Sequence, residues 1–173
     1  MSGVRMGERL LQIGIDDRTL PGAIAAKVGL SGTVVMAVKD EREAVLARQA
    51  ASDAGVLADV QVGRLPSVDA PDDAFDLAVI HSMRGLLAGS GEPERLALIR
   101  ECRRVLRPGG RIMVVEAGPR EGLTAWLRPH RENESYVAAG GSVAALEAGG
   151  FRPVRLLAER DGYRFVEGLR TGE

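Results

Sequence analysis

The chain has 173 residues, of which 45% are hydrophobic and 27% charged, so it is long enough for one globular domain with a sizeable core. The net charge of −1 and the aromatic content of 3% argue against nucleic acid and anionic membranes as partners. The single cysteine cannot form an internal disulfide, and the two histidines lie too far apart in sequence to suggest a metal site. No signal peptide or apolar run of about 20 residues is visible. We therefore expect a cytoplasmic protein without direct membrane insertion, and docking on the cytoplasmic face of a membrane complex stays open.

The first half of the chain alternates short apolar runs with helical segments. Pro21 suits the first turn of a helix, and Thr19 is its predicted cap. Gly29 and Gly55 end the two helices of this half. The predicted elements are strand Arg9–Gly14, helix Gly22–Val28, strand Thr33–Val38, helix Glu41–Ala54 and strand Val56–Gly63.

The second half contains the clearest pattern of the chain, the run ECRRVLRPGGRIMVVE at residues 101–116. Leu98, Cys102 and Val105 recur at helical spacing, and Pro108 cannot continue the helix. The next apolar residues run on without alternation, as in a strand covered on both faces. The predicted elements are strand Phe75–Ile80, a weakly helical connection Met83–Gly91, helix Glu92–Leu106, strand Arg111–Glu116, a helical turn Leu123–Leu127, helix Ser142–Ala148, and strands Phe151–Glu159 and Tyr163–Leu169.

This order of elements predicts an α/β fold. Strands that alternate with helices form a mostly parallel sheet with helices on both faces. Asp161-Gly162 favours a tight turn, so the last two strands are predicted to form an antiparallel hairpin. We expect a Rossmann-like, doubly wound, seven-stranded sheet in a three-layer sandwich, formed by a single domain over residues 1–173.

The order of elements, with FDLAVIHSM at 75–83 and VLRPGG at 105–110, resembles the class I S-adenosylmethionine-dependent methyltransferases. The small-molecule branch is the most similar, and the resemblance runs from Arg9 to the final hairpin. It implies a sheet of seven strands whose last strand is antiparallel. It also implies a donor site beyond the carboxyl ends of the first three strands.

The first of these loops departs from the pattern of that family. Family members carry an acidic residue followed by three spaced glycines, which let the backbone approach the methionine part of the donor. Here the acidic place holds Gln12, and only Gly14 remains of the glycines. Asp16 and Arg18 occupy the other two places.

The second and third loops depart from the pattern as well. The family places a carboxylate after the second strand for the ribose hydroxyls, whereas Lys39 carries donors only. After the third strand, Arg64 stands where the family has an aspartate near the adenine. These losses favour a protein without a cofactor. If S-adenosylmethionine does bind, the resemblance implies contacts from Gly14, Ile15, Asp16, Lys39, Asp40, Arg64 and His81.

The replaced residues carry opposite charges. Asp16 and Asp17 would face Lys39 and Arg64 across the crevice, so we consider the hypothesis that they pair and fill the site. The alternative is that all four are loop residues turned to water, with pairs that contribute about 0–1 kcal/mol each. An open pocket with Asp16 and Lys39 directed apart would exclude the filled crevice.

Two further polar residues are predicted at strand ends. His81 is either a substrate-related group or a histidine bonded to a backbone carbonyl. Glu116 is either a carboxylate that faces a substrate or a solvated strand terminus.

A basic cluster lies on the helix before the fifth strand. It is either a solvated face with favourable charge near the helix end or a docking patch for an acidic protein partner. Its members are Arg100, Arg103, Arg104 and Arg107. The top of the sheet, which lacks the covering segments of the family, is the other predicted partner surface.

Two functions follow from this mismatch between scaffold and site. The first is a non-catalytic binding or structural subunit of a larger assembly. The alternative is a divergent S-adenosylmethionine-dependent methyltransferase that acts on a small molecule. The sequence assigns no catalytic residue and no metal ligand.

Overall fold

The structure, a computed structural model, describes residues 4–118, 134–160 and 162–172. Its strands are β1 Arg9–Ile13, β2 Thr33–Val38, β3 Asp59–Val62, β4 Phe75–Ser82, β5 Leu106–Ala117, β6 Val154–Arg160 and β7 Tyr163–Leu169. Its helices are α1 Thr19–Ala26, α2 Glu41–Asp53, α3 Glu92–Val105, α4 Glu134–Ala138 and α5 Gly141–Ala148.

The strands form one sheet in the order β3-β2-β1-β4-β5-β7-β6. The five strands from β3 to β5 are parallel, and β7 pairs antiparallel with both β5 and β6. Leu11 in β1 lies opposite Val35 of β2 and Ala78 of β4. The chain passes from β1 outward to β3 and then returns to the other side of β1, so the strand order reverses between β1 and β4. The predicted seven-stranded α/β fold is confirmed.

Two apolar clusters cover the two faces of this sheet. One joins the strands to α1 and α2 through residues such as Ile24 and Ala47, and the other joins them to α3 and α5 through Ile99 and Leu146. All four side chains are at most 1% exposed. A fully buried aliphatic side chain contributes about 1.5–3 kcal/mol, so burial on both faces stabilises the central strands.

Helix α1 begins three residues earlier than the sequence predicts. Thr19 is its first residue rather than its cap, and the carboxylate of Asp17 accepts the backbone N–H groups of Thr19 and Leu20 at 2.7 and 3.1 Å. A carboxylate in this position satisfies donors that the helix itself cannot pair.

Strand β5 also begins earlier than predicted. Leu106, expected to end the helix, pairs with Phe75 of β4, and residues 107–110, which lie between the predicted helix and strand, belong to the strand across a register shift. Smaller differences occur in β4, which continues to Ser82, and in residues 83–91, which form turns instead of helix. The predicted helical turn Leu123–Leu127 lies outside the described residues.

The amino-terminal edge of the sheet is joined by ion pairs between strands. Asp76 accepts Arg9 Nε at 3.2 Å and Arg107 Nε at 2.5 Å, and it also accepts the backbone N–H of Arg9 at 2.8 Å. Beside them, Arg111 Nη2 contacts both carboxylate oxygens of Glu8 at 2.9 Å. These contacts link β1, β4 and β5 at the end opposite to the predicted donor site.

None of the helices in the described parts of the chain is long and apolar enough to cross a membrane.

Candidate functional site

A cavity of about 450 Å³ lies where the strand order reverses, beyond the carboxyl ends of β1, β2 and β4. We call it the switch-point cavity. Small-molecule sites in proteins usually occupy about 300–1,000 Å³ and favour this place in an open α/β sheet. Six of the seven predicted cofactor-binding residues line it: Gly14, Ile15, Asp16, Lys39, Asp40 and His81. Arg64 follows β3, is exposed, and is not among the described lining residues.

Gly14 forms the turn at the end of β1 with a backbone φ of +71°, a conformation that residues with a Cβ rarely adopt. A Cβ there would lie 3.1 Å from Leu86 Cδ2 and 3.3 Å from the carbonyl oxygen of His81. The retained glycine therefore keeps the loops after β1 and β4 in close contact at the wall of the cavity.

Asp16 connects the same two loops. Its carboxylate accepts the backbone N–H groups of Met83 at 2.6 Å and Arg84 at 3.3 Å. Burial raises the pKa of Asp16 above its ordinary value, and these two hydrogen bonds offset part of that rise. Asp16 thus holds the loop after β4 against the loop after β1.

Of the two alternatives for the replaced charges, the pairing of Asp16 with Lys39 is not found. Lys39 Nζ instead contacts Glu43 Oε1 at 2.8 Å, one helical turn into α2, and its backbone N–H donates to the other carboxylate oxygen at 3.3 Å. The hydrogen bond to Glu43 raises the pKa of Lys39. Asp17 caps α1, so the charges do not fill the crevice and the cavity stays open.

His81 is 2% exposed and bonds to a side chain, which differs from the predicted bond to a backbone carbonyl. Its Nε2 lies 2.8 Å from Gln12 Oε1, and Gln12 Nε2 donates to the carbonyl of Pro21 at 3.1 Å. Because the Gln12 amide donates to a carbonyl, its oxygen must accept, and His81 Nε2 carries the proton. Burial lowers the pKa of His81 to about 4, so the ring is neutral at pH 7.

A second cavity of about 430 Å³ adjoins the first. We call it the β5 cavity, because Glu116 and Ala117 at the carboxyl end of β5 form part of its wall. Arg84 and Gly85 line both cavities, so the loop after β4 is their common wall. The other lining residues in the described part of the chain are Ser82, Met83, Ala88, Tyr136, Val137, Gly140, Gly141 and Arg164.

Glu116 lies inside this wall and is not a solvated strand terminus, since its side chain is only 13% exposed. Its Oε1 accepts the hydroxyl of Ser142 at 2.7 Å and lies 3.7 Å from Arg164 Nε, and its Oε2 lies 3.5 Å from the Tyr136 hydroxyl. Burial, followed by the charge of Glu116, raises the pKa of Tyr136, so the phenol is protonated at neutral pH.

The predicted arginine patch is largely engaged within the chain. Arg104 contacts Glu101 at 2.8 Å and Asp72 at 2.6 Å, and Arg107 belongs to the Asp76 cluster. Arg103 Nε donates to the carbonyl of Gly150 at 3.3 Å. Arg100 is exposed, and docking of a protein partner on this face stays a prediction.

Several residues of the candidate site were not predicted from the sequence. Glu43 had a detectable signal, because a side chain four residues after Lys39 on the first turn of a helix returns toward the strand end. Ser142, Tyr136 and Arg164 had none, since only the tertiary fold brings them to Glu116. Within residues 4–118, 134–160 and 162–172, no group of three or more histidines, cysteines or acids could hold a metal ion.

The chain is similar in sequence to known methyltransferases. The family described as "Methyltransferase domain" matches residues 19–114. The ubiquinone/menaquinone biosynthesis C-methyltransferase UbiE of Hydrogenovibrio crunogenus is 31% identical over 118 residues, which is 67% of this chain and 44% of that protein. The UbiE of Teredinibacter turnerae is 34% identical over 118 residues, or 67% of this chain and 45% of that protein. The chain therefore spans less than half the length of these curated relatives.

Solved structures share the fold at lower identity. A SAM-dependent methyltransferase from Aquifex aeolicus superimposes with a TM-score of 0.73 at 17% identity, over 98% of this chain and 85% of that one. PigF in complex with SAH gives a TM-score of 0.63 at 21% identity, over 94% of this chain and 50% of that one.

Proposed function

The chain belongs to the methyltransferase domain family, and on that premise we propose that it is a divergent S-adenosylmethionine-dependent methyltransferase that acts on a small molecule. One observation carries the proposal: two cavities of similar size meet at a single wall, Arg84 and Gly85, at the carboxyl edge of the sheet. A group-transfer enzyme must hold donor and acceptor side by side in a fixed orientation. The arrangement provides adjacent places for the two molecules.

The residues of the switch-point cavity fit the donor. Gly14 brings bare backbone to the cavity wall, where the methionine part would lie. The carboxylate missing from the end of β2 is supplied by Glu43, whose side chain is 17% exposed and lines the same cavity. A carboxylate can accept hydrogen bonds from two hydroxyl groups, so Glu43 is suited to hold the ribose of S-adenosylmethionine. Lys39 partly neutralises the charge of Glu43.

The remaining side chains hold the loops of the site in position and do not react with the donor. When bound, the donor supplies an electrophilic methyl group on a sulfonium ion. Asp16 fixes the wall between the two cavities through Met83 and Arg84. As a lining residue of the switch-point cavity, it would also contribute negative charge to a site that takes a cation. His81, neutral and bonded to Gln12, holds the ends of β1 and β4 together beneath the cavity.

Titration calorimetry with S-adenosylhomocysteine and S-adenosylmethionine tests the proposal. We expect saturable 1:1 binding with a Kd between about 1 and 100 µM, which corresponds to about 5–8 kcal/mol. Absence of binding at about 1 mM of either compound would contradict it. That result, with a stable protein partner in the purified sample, would support the non-catalytic subunit that the sequence first predicted.

Glu43→Gln tests the role assigned to the relocated carboxylate. Because a hydrogen bond to a charged group contributes about 1.5–3 kcal/mol, we expect affinity for S-adenosylhomocysteine to fall at least about tenfold. Glu41→Gln is the matched control, since Glu41 lies on the same helix turn, is 67% exposed and pairs with Arg48 away from the cavity. Equal affinities of the two variants would remove Glu43 from the donor site.

A further inference from the structure

The β5 cavity contains a carboxylate that the fold holds in place from several sides. Ser142 is 1% exposed and Tyr136 6% exposed, and both direct hydroxyl groups at Glu116. The guanidinium of Arg95 lies 4.7 Å from the centre of the Tyr136 ring and bonds to the carbonyls of Leu87 and Ser90, which fixes that ring in turn. A carboxylate held this firmly in a cavity wall is a built recognition group rather than a surface charge.

The remaining surface of the cavity selects the kind of molecule that fits. Met83, Ala88, Ala117 and Val137 present apolar surface, so the body of a ligand would be apolar. Glu116 is acceptor-only when ionised, and it repels another carboxylate. Arg164, whose Nε lies 3.7 Å from Glu116, is shared with Glu159 at 3.3 Å. The polar end of the cavity therefore suits a neutral hydroxyl group.

We propose that the β5 cavity binds the methyl acceptor, and that the acceptor is a neutral small molecule with an apolar body and a hydroxyl group that donates to Glu116. The assignment of the ligand as methyl acceptor rests on the proposed function. Its position follows from the shared wall, because a molecule in the β5 cavity contacts Arg84 and Gly85 from the side opposite to the donor.

Fluorescence titration with two arenes of similar shape tests this inference. The probes are 2-naphthol, which carries the hydroxyl group, and 2-methoxynaphthalene, which cannot donate a hydrogen bond. We expect the wild-type protein to bind 2-naphthol about tenfold more tightly, as one hydrogen bond to a charged group predicts. No saturable binding of either arene, or equal binding of both, would overturn the proposal.

Three variants test which residues produce the preference for 2-naphthol. Glu116→Gln, which keeps the shape and weakens the acceptor, is expected to bring the two affinities within about twofold of each other. Glu147→Gln, at an exposed site on the helix that carries Ser142, should leave the tenfold difference unchanged. Val137→Trp, at a half-exposed lining residue, should weaken both arenes by narrowing the cavity. A preference that survives Glu116→Gln would assign hydroxyl recognition elsewhere and overturn the proposal.

The result is separable from donor binding. Glu116→Gln is expected to change the Kd of S-adenosylhomocysteine by less than about twofold, since Glu116 does not line the switch-point cavity. Donor binding without a 2-naphthol preference defeats this inference alone. A 2-naphthol preference without donor binding defeats the proposed methyltransferase, and with it the assignment of the ligand as methyl acceptor.

Discussion

The two edges of the sheet use charged residues in opposite ways. At the amino-terminal edge, Asp76 lies between Arg9 and Arg107, so its charge is neutralised by ion pairs between strands. At the carboxyl-terminal edge, Asp16 accepts the backbone N–H groups of Met83 and Arg84 and borders a cavity. The charge of Asp76 therefore stabilises the fold through other side chains, whereas the charge of Asp16 lies at the wall of a cavity.

The same contrast appears in ionisation. Burial alone would raise the pKa of Asp76, but hydrogen bonds from Arg9 and Arg107 outweigh it and hold the pKa well below its ordinary value. The pKa of Asp16 is raised by burial. A carboxyl group whose pKa is lowered by folding stabilises the fold at pH values above its unfolded-state pKa, and this stabilisation is lost in acid. A carboxyl group whose pKa is raised by folding stabilises the fold at low pH, and this stabilisation is lost as the pH rises through the folded-state pKa.

The largest expected effect belongs to His81, the buried histidine beneath the carboxyl-terminal edge. Its folded-state pKa of about 4 lies below the ordinary value of 6.5, so its contribution is complete above pH 6.5 and is lost as the pH falls toward 4. The difference corresponds to about 3 kcal/mol. Urea unfolding at pH 7, 6, 5 and 4 measures this loss.

His81→Gln supplies the control for that titration. Glutamine keeps a donor for Gln12 and does not titrate, so the variant should lack the loss of about 3 kcal/mol between pH 6.5 and 4 that is due to His81. If wild type and variant have parallel pH profiles, another group carries the acid sensitivity of this edge.

The next effect belongs to the amino-terminal edge. Asp76→Asn removes the charge shared by two arginines at a site that is 16% exposed, and we expect a loss of about 2 kcal/mol at pH 7. Asp72→Asn is the matched control, because Asp72 is 73% exposed and its pair with Arg104 is expected to contribute about 0–1 kcal/mol. Neither variant should change the affinity for S-adenosylhomocysteine. A change with Asp76→Asn would show that the two edges are coupled.

The fold was predictable from the sequence because burial on both faces leaves a local signal. Residues 77–80 and 112–115 are continuous apolar runs, and they lie in the central strands β4 and β5. The start of β5 was not predictable. Pro108 and the glycines indicate a turn, and only the pairing of Leu106 with Phe75 in the folded sheet makes this segment a strand.

The site was predictable in position but not in its contacts. Strand ends fix where Gly14, Asp16 and Lys39 lie, so these residues could be placed together before the structure was known. Which charges pair depends on side-chain reach. Lys39 finds Glu43 one helical turn away, and Tyr136 finds Glu116 across 20 residues, a contact that no local pattern records.

The smallest expected effect compares Gly14 with Gly55, a residue away from both cavities. Both have positive φ, +71° and +67°, so an alanine costs about 1 kcal/mol of backbone strain at either site. A Cβ at Gly55 meets nothing within 4 Å, whereas a Cβ at Gly14 meets the flexible end of Leu86 and the carbonyl of His81. We therefore expect Gly55→Ala to lower the free energy of unfolding by about 1 kcal/mol and Gly14→Ala by more, because its methyl group must also displace Leu86 and the carbonyl of His81, as measured by urea titration. Only Gly14→Ala should weaken binding of S-adenosylhomocysteine, because the added methyl group separates the loops that form the cavity wall. Equal affinities in both variants would mean that the turn after β1 serves the fold and not the ligand.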